Sequence, residues 1–338
     1  MSGPQMKAWR VAELGEPGAV MRLEDVEAPT PGPRQLVVKV LASPANFPDA
    51  LMCRGLYQVR PDLPFTPGVE LCGEVIALGD ELDGTGFAVG DRVIGGAVLP
   101  YGGFAEVALM DAATTFPAPA SLDDAQAASL YIGYQTGWFG LHRRAALKAG
   151  ETLLVHAAAG GVGSAAVQLG KAAGATVIGV VGGPEKAEVA RALGADVVVD
   201  RHTEGPAGDW VAVVKEHTGG RGADVVYDPV GGETYQRSTK CVAFEGRILV
   251  IGFAGGDIQS AALNHALIKN YSIVGLHWGL YNLVDPAAVA QCHTELTDLA
   301  DRGLVRPFVS ERLGLEQAAD GVQRLADGTT VGRVVITP

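Results

Sequence analysis

The chain has 338 residues, a length that suggests two domains, and 48% of them are hydrophobic, enough for two cores. Its 38 acidic against 26 basic side chains leave a net charge of −12, which argues against nucleic acid as a partner. No run of about 18 apolar residues occurs and the amino-terminal segment lacks an apolar signal core, so the expectation is a cytoplasmic protein that makes no use of a membrane.

Up to about residue 125 the pattern is one of short strands punctuated by Pro and Gly, including Leu36-Val37-Val38-Lys39-Val40, Gly73 to Leu78 and Asp91 to Ile94. This predicts a small β-barrel-like domain. Cys53, Cys72, Cys241 and Cys292 are far apart and form no C-x-x-C pair. Reduced, mostly buried thiols are therefore expected, with neither a disulfide framework nor a metal site.

The segment from Gly150 to Lys171 reads as strand, glycine turn and helix without a break. Thr152 to Ala157 is a short apolar run, and Ser164 to Ala173 is rich in helix formers. Between them Gly160 permits a sharp turn, the N–H groups of Gly161 and Val162 can approach an anion, and Gly163 and Ala166 allow the helix to pack closely on the sheet. The spacing is G-x-x-G-x-x-A, and it predicts a phosphate-binding elbow. His156, inside the preceding strand, is expected to pack in the core.

Downstream, Thr176 to Val181, Asp196 to Asp200, Ala223 to Asp228 and Arg247 to Gly252 are further β-rich runs, the early ones separated by helices such as Glu185 to Leu193. Continuous apolar strands alternating with helices predict a parallel sheet covered on both faces, a doubly wound dinucleotide fold. The second strand ends Val180-Val181-Gly182-Gly183, without the acidic residue that accepts hydrogen bonds from the adenosine ribose in an NAD-selective site. Small residues leave room for a 2′-phosphate, and Lys186 in the next helix supplies charge. With Arg201 after the following strand, and no acidic residue to compete, the expected cofactor is NADPH.

From Asp285 to Asp301 the pattern is helical, with an Asp285 cap, Pro286 in the first turn and Gly303 at the stop. Leu315 to Ala326 is an amphipathic helix and Gly332 to Thr337 a final strand. This tail is expected to return to the first domain, giving domains of 1–126 with 277–338 and of 127–276, with the substrate cleft between them.

The chain resembles the zinc-free quinone oxidoreductase (zeta-crystallin-like) branch of the medium-chain dehydrogenase/reductase superfamily over nearly its whole length. The resemblance rests on the Gly150 to Lys171 signature, Asn46-Phe47-Pro48-Asp49, Gly55-Leu56-Tyr57, Pro67 to Gly73, Asp228-Pro229-Val230-Gly231-Gly232 and Gly275 to Gly279. It implies a GroES-like β-barrel catalytic domain joined to a Rossmann domain, and hydride transfer from NADPH to a small electrophilic acceptor. It also implies a homodimer made by pairing edge strands, here Tyr271 to Gly275. Zinc-dependent members carry a cysteine where this chain has Asn46 and a histidine where it has Val69, so no metal is expected.

The same resemblance places Asn46 near the nicotinamide ribose, Thr136 at the start of the helix entering the cofactor domain, and Gly252-Phe253-Ala254-Gly255-Gly256 beside the nicotinamide ring. From its own position, Asp49 is expected to fix the loop or start the following helix rather than act in catalysis. Arg201 stands where relatives carry a tyrosine at the 2′-phosphate. Tyr57 resembles the candidate proton donor of the family's enoyl thioester reductases, a phenol that can protonate a developing enolate or quinol oxygen. Trp278 is a candidate pocket wall. The expected activity is quinone reduction, the alternatives being reduction of an activated C=C bond in an enone or enoyl thioester, or non-catalytic NADPH binding. Arg54 and Arg60 are a conceivable contact for an acyl-CoA phosphate.

Overall fold

The computed structural model describes residues 4–82, 84 and 86–338. Residues 1–3, which form part of the amino-terminal segment read above, lie outside the described residues. The chain divides into two units, one of Met1–Ile132, Asp285–Asp301 and Pro307–Pro338, the other of Gly133–Val284 and Arg302–Arg306. The division falls within the helix Asp124–Trp138.

In the first unit, β1 (Gln5–Val11) and β2 (Met21–Glu27) form an antiparallel pair. Strands β3 (Gln35–Pro44), β4 (Glu70–Leu78), β5 (Arg92–Ala97) and β6 (Val107–Pro117) follow as an antiparallel sheet, and β6 pairs back onto β3 to close it. Alternate residues of β3 point the same way, so Leu36, Val38 and Val40 share a core with Leu71, Val75, Val93 and Met110. The barrel-like reading of this region is thereby met.

The second unit is a six-stranded, wholly parallel sheet. Its strands are β7 (Thr152–His156), β8 (Thr176–Val181), β9 (Val197–Asp200), β10 (Ala223–Asp228), β11 (Val242–Val250) and β12 (Ser272–Gly275), in the order β12-β11-β10-β7-β8-β9. Every residue of β7 is buried, as expected of a central strand covered on both faces by helices. After β9 the chain returns to the other side of β7, so the strand order reverses between β7 and β10. Loops at the carboxyl ends of the strands part at such a reversal, and ligands of doubly wound sheets bind there.

The tail adds β13 (Val309–Gly314) and β14 (Arg333–Thr337) to the first unit. Strand β14 pairs antiparallel with β3 at Pro44 and Ser43. That pairing carries the first residue of β14, Arg333, to the end of β3, where Asn46 begins the next helix.

Candidate active site

The elbow follows β7. Ala157 takes a left-handed conformation (φ 49°), Gly160 is extended, and the helix Gly161–Ala172 begins three residues before the expected Ser164 because the glycines form its first turn. A Cβ on Gly163 would lie 2.1 Å from the Ala157 carbonyl oxygen, so the helix approaches the strand end more closely than any side chain permits. No side chain caps this helix, which leaves the amides of Gly161 and Val162 aimed at the space beyond the strand. Such a cradle, too tight for a Cβ and ringed by amides, suits the pyrophosphate of a dinucleotide.

Thr136 is buried in the last turn of Asp124–Trp138, not at that helix's start. The helix begins twelve residues earlier, where Asp123 Oδ1 accepts from Gln126 N at 2.9 Å. The same helix crosses the elbow: a Cβ on Gly133 would sit 3.3 Å from the Gly161 carbonyl oxygen, and one on Gly137 would meet Leu169. Thr136 is thus carried beside the phosphate cradle.

Two more loops reach the reversal point. After β10, Asp228 Oδ1 accepts from the amides of Val230 and Gly231, and its other carboxylate oxygen is buried without a partner. Burial holds this carboxyl above the ordinary range, with the two amides opposing. After β11, the amides of Ala254 and Gly255 donate to the carbonyls of Pro229 and Val230, fastening Phe253 and Ala254 to the β10 loop. Phe253 is part-exposed there. Trp278 Nε1 donates to Gln135 Oε1 at 3.1 Å, which makes this indole a fastener of the second unit.

Beyond β8, the missing side chain of Gly182 faces two others. A Cβ there would lie 3.2 Å from Arg201 Nε and 3.0 Å from His202 Cε1. Lys186 is the third residue of the helix Pro184–Ala192 that starts at this point. The expectation of no acidic residue nearby is incorrect, because Asp200 ends the neighbouring strand β9 here. Its Oδ1 accepts from Gly183 N at 2.8 Å and His202 N at 3.0 Å, tying the two strand ends together. Those amides hold its carboxyl below the ordinary range. In the sequence Asp200 is separated from Gly182 by a whole helix, and only the pairing of β9 with β8 brings its carboxylate to this point.

The first unit gathers a different set of residues. Asn46 caps the helix Phe47–Cys53 and is 5% exposed. Its Nδ2 donates to Pro44 O at 3.1 Å and to Glu70 Oε1 at 2.9 Å, and its Oδ1 accepts from Arg333 Nη1 at 3.0 Å. Both amide hydrogens are therefore spent, and what Asn46 retains is a single acceptor lone pair. Arg333 Nη2 pairs with Glu70 Oε1, while Glu70 Oε2 accepts from Ile132 N at 2.7 Å. Asp49 does fix the loop: Oδ2 accepts from Asn46 N at 2.8 Å, and Oδ1 from Gly68 N at 2.8 Å and Val69 N at 3.2 Å.

Burial pushes the Asp49 carboxyl up to about 7 against these three amides. Tyr57 packs at the edge of the neighbouring apolar cluster. Burial first, and then the charge of Asp49, raise its phenol above the ordinary value, so it holds its proton and can donate a hydrogen bond. Arg54, a conceivable phosphate contact, forms a two-pronged ion pair with Glu16 at the end of its helix. Glu70 and Arg333 were not singled out from sequence. The signals were a carboxylate in a buried strand and a lone cation opening an apolar one.

His156 closes β7 inside the core, its Nε2 3.0 Å from Ser238 Oγ and its ring edge-on to Trp210. All four cysteines are free and buried. Among the described residues, no cluster of His, Cys, Asp and Glu has the makings of a metal site, and no helix is long and apolar enough to cross a membrane.

Two stability predictions follow from these buried groups. Arg333→Leu strands the Glu70 carboxylate and should cost about 3–5 kcal/mol in urea unfolding, part of which the added Glu70→Gln restores. Burial, with the Arg201 and Arg237 charges, depresses the His156 pKa from 6.5 to about 3. The fold therefore favours the neutral ring, and this stabilisation is present above pH 6.5 and lost as the pH falls toward 3. Between pH 7 and pH 5 the wild type should lose about 2 kcal/mol more than His156→Phe does.

Comparison with known proteins agrees with this arrangement. Residues 161–293 match the family described as zinc-binding dehydrogenase, and residues 32–120 match the alcohol dehydrogenase GroES-like domain. A quinone oxidoreductase from Pseudomonas aeruginosa is 36% identical, the alignment covering 98% of this chain and 99% of that protein. A quinone oxidoreductase-like protein 2 homolog from Nematostella vectensis is also 36% identical, over 98% of this chain and 89% of its own length. Among solved structures, a Pseudomonas syringae quinone oxidoreductase superposes with a TM-score of 0.88 at 35% identity, covering 98% of this chain and all of the other. A mycobacterial protein solved in complex with NADPH has a TM-score of 0.89 at 32% identity, with coverage of 98% and 100%. This chain is an oxidoreductase that belongs to the quinone oxidoreductase branch of the medium-chain dehydrogenase/reductase family.

Proposed function

We propose that this chain is a zinc-independent, NADPH-dependent reductase of quinones. The cofactor is supported by one observation above the others: at Gly182, where an NAD site would present a carboxylate to the ribose, the open face meets Arg201, with Lys186 in the adjoining first turn. The mycobacterial neighbour solved with NADPH supports the same cofactor. Bound NADPH supplies the hydride. The chain's own residues do the rest: the amides of Gly161 and Val162 bind the pyrophosphate, Thr136 is placed to hydrogen-bond the same region, and Phe253 and Ala254 flank the ring.

Quinones are supported as acceptors by the names of the relatives and by the chemistry of the first unit. The position that carries a cysteine ligand in zinc-dependent relatives is Asn46, whose amide is committed to Glu70 and Arg333. Without a Lewis acid, simple alcohols and carbonyls lose their main activation, whereas a conjugated acceptor needs less. The protonated phenol of Tyr57 favours a second reading, reduction of an activated C=C bond, in which it protonates the enolate. The enoyl reductase CurK superposes with a TM-score of 0.86 at 24% identity, a likeness of fold alone.

Steady-state NADPH oxidation with quinones, enones and enoyl-CoA esters tests both. Quinone turnover with NADPH favoured over NADH is expected, and Lys186→Glu should lower that preference about tenfold or more. Enone turnover that exceeds quinone turnover and collapses in Tyr57→Phe would establish the second reading. Turnover with none of these acceptors despite tight NADPH binding would leave a binding protein.

We further propose a homodimer. Strand β12 is the edge of the parallel sheet, and beside it the helix Leu263–Lys269 buries none of its residues, with Leu263, Leu267 and Ile268 each more than 70% exposed. An unpaired edge flanked by apolar side chains fits a second copy of the same strand. Sedimentation velocity should give twice the 34.9 kDa chain mass, falling to the monomer in Ile273→Lys; a monomeric wild type would refute the pairing.

A further inference from the structure

We infer that the chain carries a second anion site, suited to a nucleoside polyphosphate, at the end of the parallel sheet opposite the elbow. It uses none of the residues assigned to the cofactor. A cavity of about 310 Å³ opens there, lined by Lys215, Arg221, Lys240 and Lys269, with the buried Cys241 among them. It lies where β10 and β11 begin, since its lining residues Gly222 and Cys241 immediately precede those strands. The six residues of β10 separate it from the end beside the elbow, a span of about 20 Å.

Charge is the first argument. The chain as a whole carries −12, yet four cations and, among the described residues, no carboxylate line this cavity. Asp224, outside the lining, pairs with Arg221. Lys269 Nζ donates to Thr239 O at 2.6 Å, which fixes the ammonium without neutralising it. Among the described residues, the Lys215 and Lys240 ammonium groups have no hydrogen-bond or ion-pair partner. Burial holds the Lys269 ammonium below its ordinary value, and the Lys215 charge acts in the same direction with Cys241 opposing, so the two lysines feel one another. A helix end favours a cation, which accounts for Lys215 and Lys269 singly but not for their convergence with Lys240. Three ammonium groups gathered without counter-charge repel, and a polyanion relieves that repulsion.

The frame of the cavity is already formed. Gly222 N donates to Thr218 Oγ1 at 2.8 Å, Gly220 N to Lys215 O at 2.7 Å and Ala223 N to Cys241 O at 2.8 Å. Gly222 is left-handed (φ 94°), and a Cβ on it would lie 2.5 Å from the Cys241 carbonyl oxygen, so only glycine lets the loop press against the start of β11. Phe244 lines the same cavity with 69% of its surface exposed. A cavity of this size holds a nucleotide, with its phosphates on the lysines and its base stacked on the phenyl ring.

Calorimetric titration of the full chain with ATP, tripolyphosphate and adenosine, each with and without one equivalent of NADPH, tests the site. ATP should bind once per chain whether or not NADPH is present, tripolyphosphate about tenfold more weakly, and adenosine not measurably. Lys240→Gln should weaken ATP about tenfold, and the double variant Lys215→Gln/Lys240→Gln about a hundredfold. Phe244→Ala should bring ATP down to the level of tripolyphosphate. These three side chains are exposed, so the variants should melt with the wild type. No ATP binding, binding that survives in both lysine variants, adenosine bound as tightly as ATP, or ATP displaced by NADPH overturns the site. Equal affinity for ATP and tripolyphosphate in the wild type overturns the nucleoside assignment.

Discussion

The close approach of the helix Gly161–Ala172 to the end of β7 is the constraint on which the second unit is arranged. Gly163 lets the Ala157 carbonyl come within a distance that a Cβ would forbid, and Gly133 and Gly137 let a second helix lie across the same turn. The elbow in turn sets where the other strand ends must finish. Loops after β8, β10 and β11 end beside it because the strand order reverses next to β7, and each is fastened by its amides: Gly183 donates to the Asp200 carboxylate, Val230 and Gly231 to the Asp228 carboxylate, and Ala254 to the Pro229 carbonyl. A phosphate-bearing ligand thus meets a surface already formed, which limits the ordering cost of binding.

The first unit solves a different problem, that of keeping charge inside an apolar barrel. Glu70 and Arg333 are almost wholly buried, and each ion is costly to remove from water. The cost is offset in part by further hydrogen bonds: Glu70 also takes an amide hydrogen from Ile132 and one from Asn46, and Arg333 also reaches the Asn46 carbonyl oxygen, although Arg333 Nε is buried without a partner. The cluster ties β3, β4, the helix Phe47–Cys53 and the terminal strand β14 into one polar node. Its consequence for chemistry is specific. Asn46 has its orientation imposed by a donor-only neighbour and keeps one lone pair, so its contribution is positional.

Much of this was legible in the linear order of residues. The elbow, the alternation of strand and helix, the open Gly182 position and the loop-fixing role of Asp49 are all written within some twenty residues of chain, where turn chemistry and periodicity act directly. Other features were not. Arg333 meets Glu70 across 263 positions of sequence, a pairing that only the antiparallel docking of β14 on β3 creates. Arg54 reads as a free cation until the fold sets Glu16 beside it. Asp200 and His202 look like ordinary turn residues until two neighbouring strands end side by side.

The sequence by itself determined the two fold classes, the phosphate elbow and the candidate residues Lys186 and Arg201, because each of these is encoded by local residue type and short spacing, whereas Asn46 and Tyr57 became candidates through the family resemblance. The tertiary structure decided which polar groups are already engaged and which face a ligand. It saturated the Asn46 amide, raised the Asp49 carboxyl and Tyr57 phenol, held His156 neutral and set His202 beside Gly182. The physical reason is that burial and hydrogen-bond partnership depend on which distant segments pack together, and no local pattern carries that information.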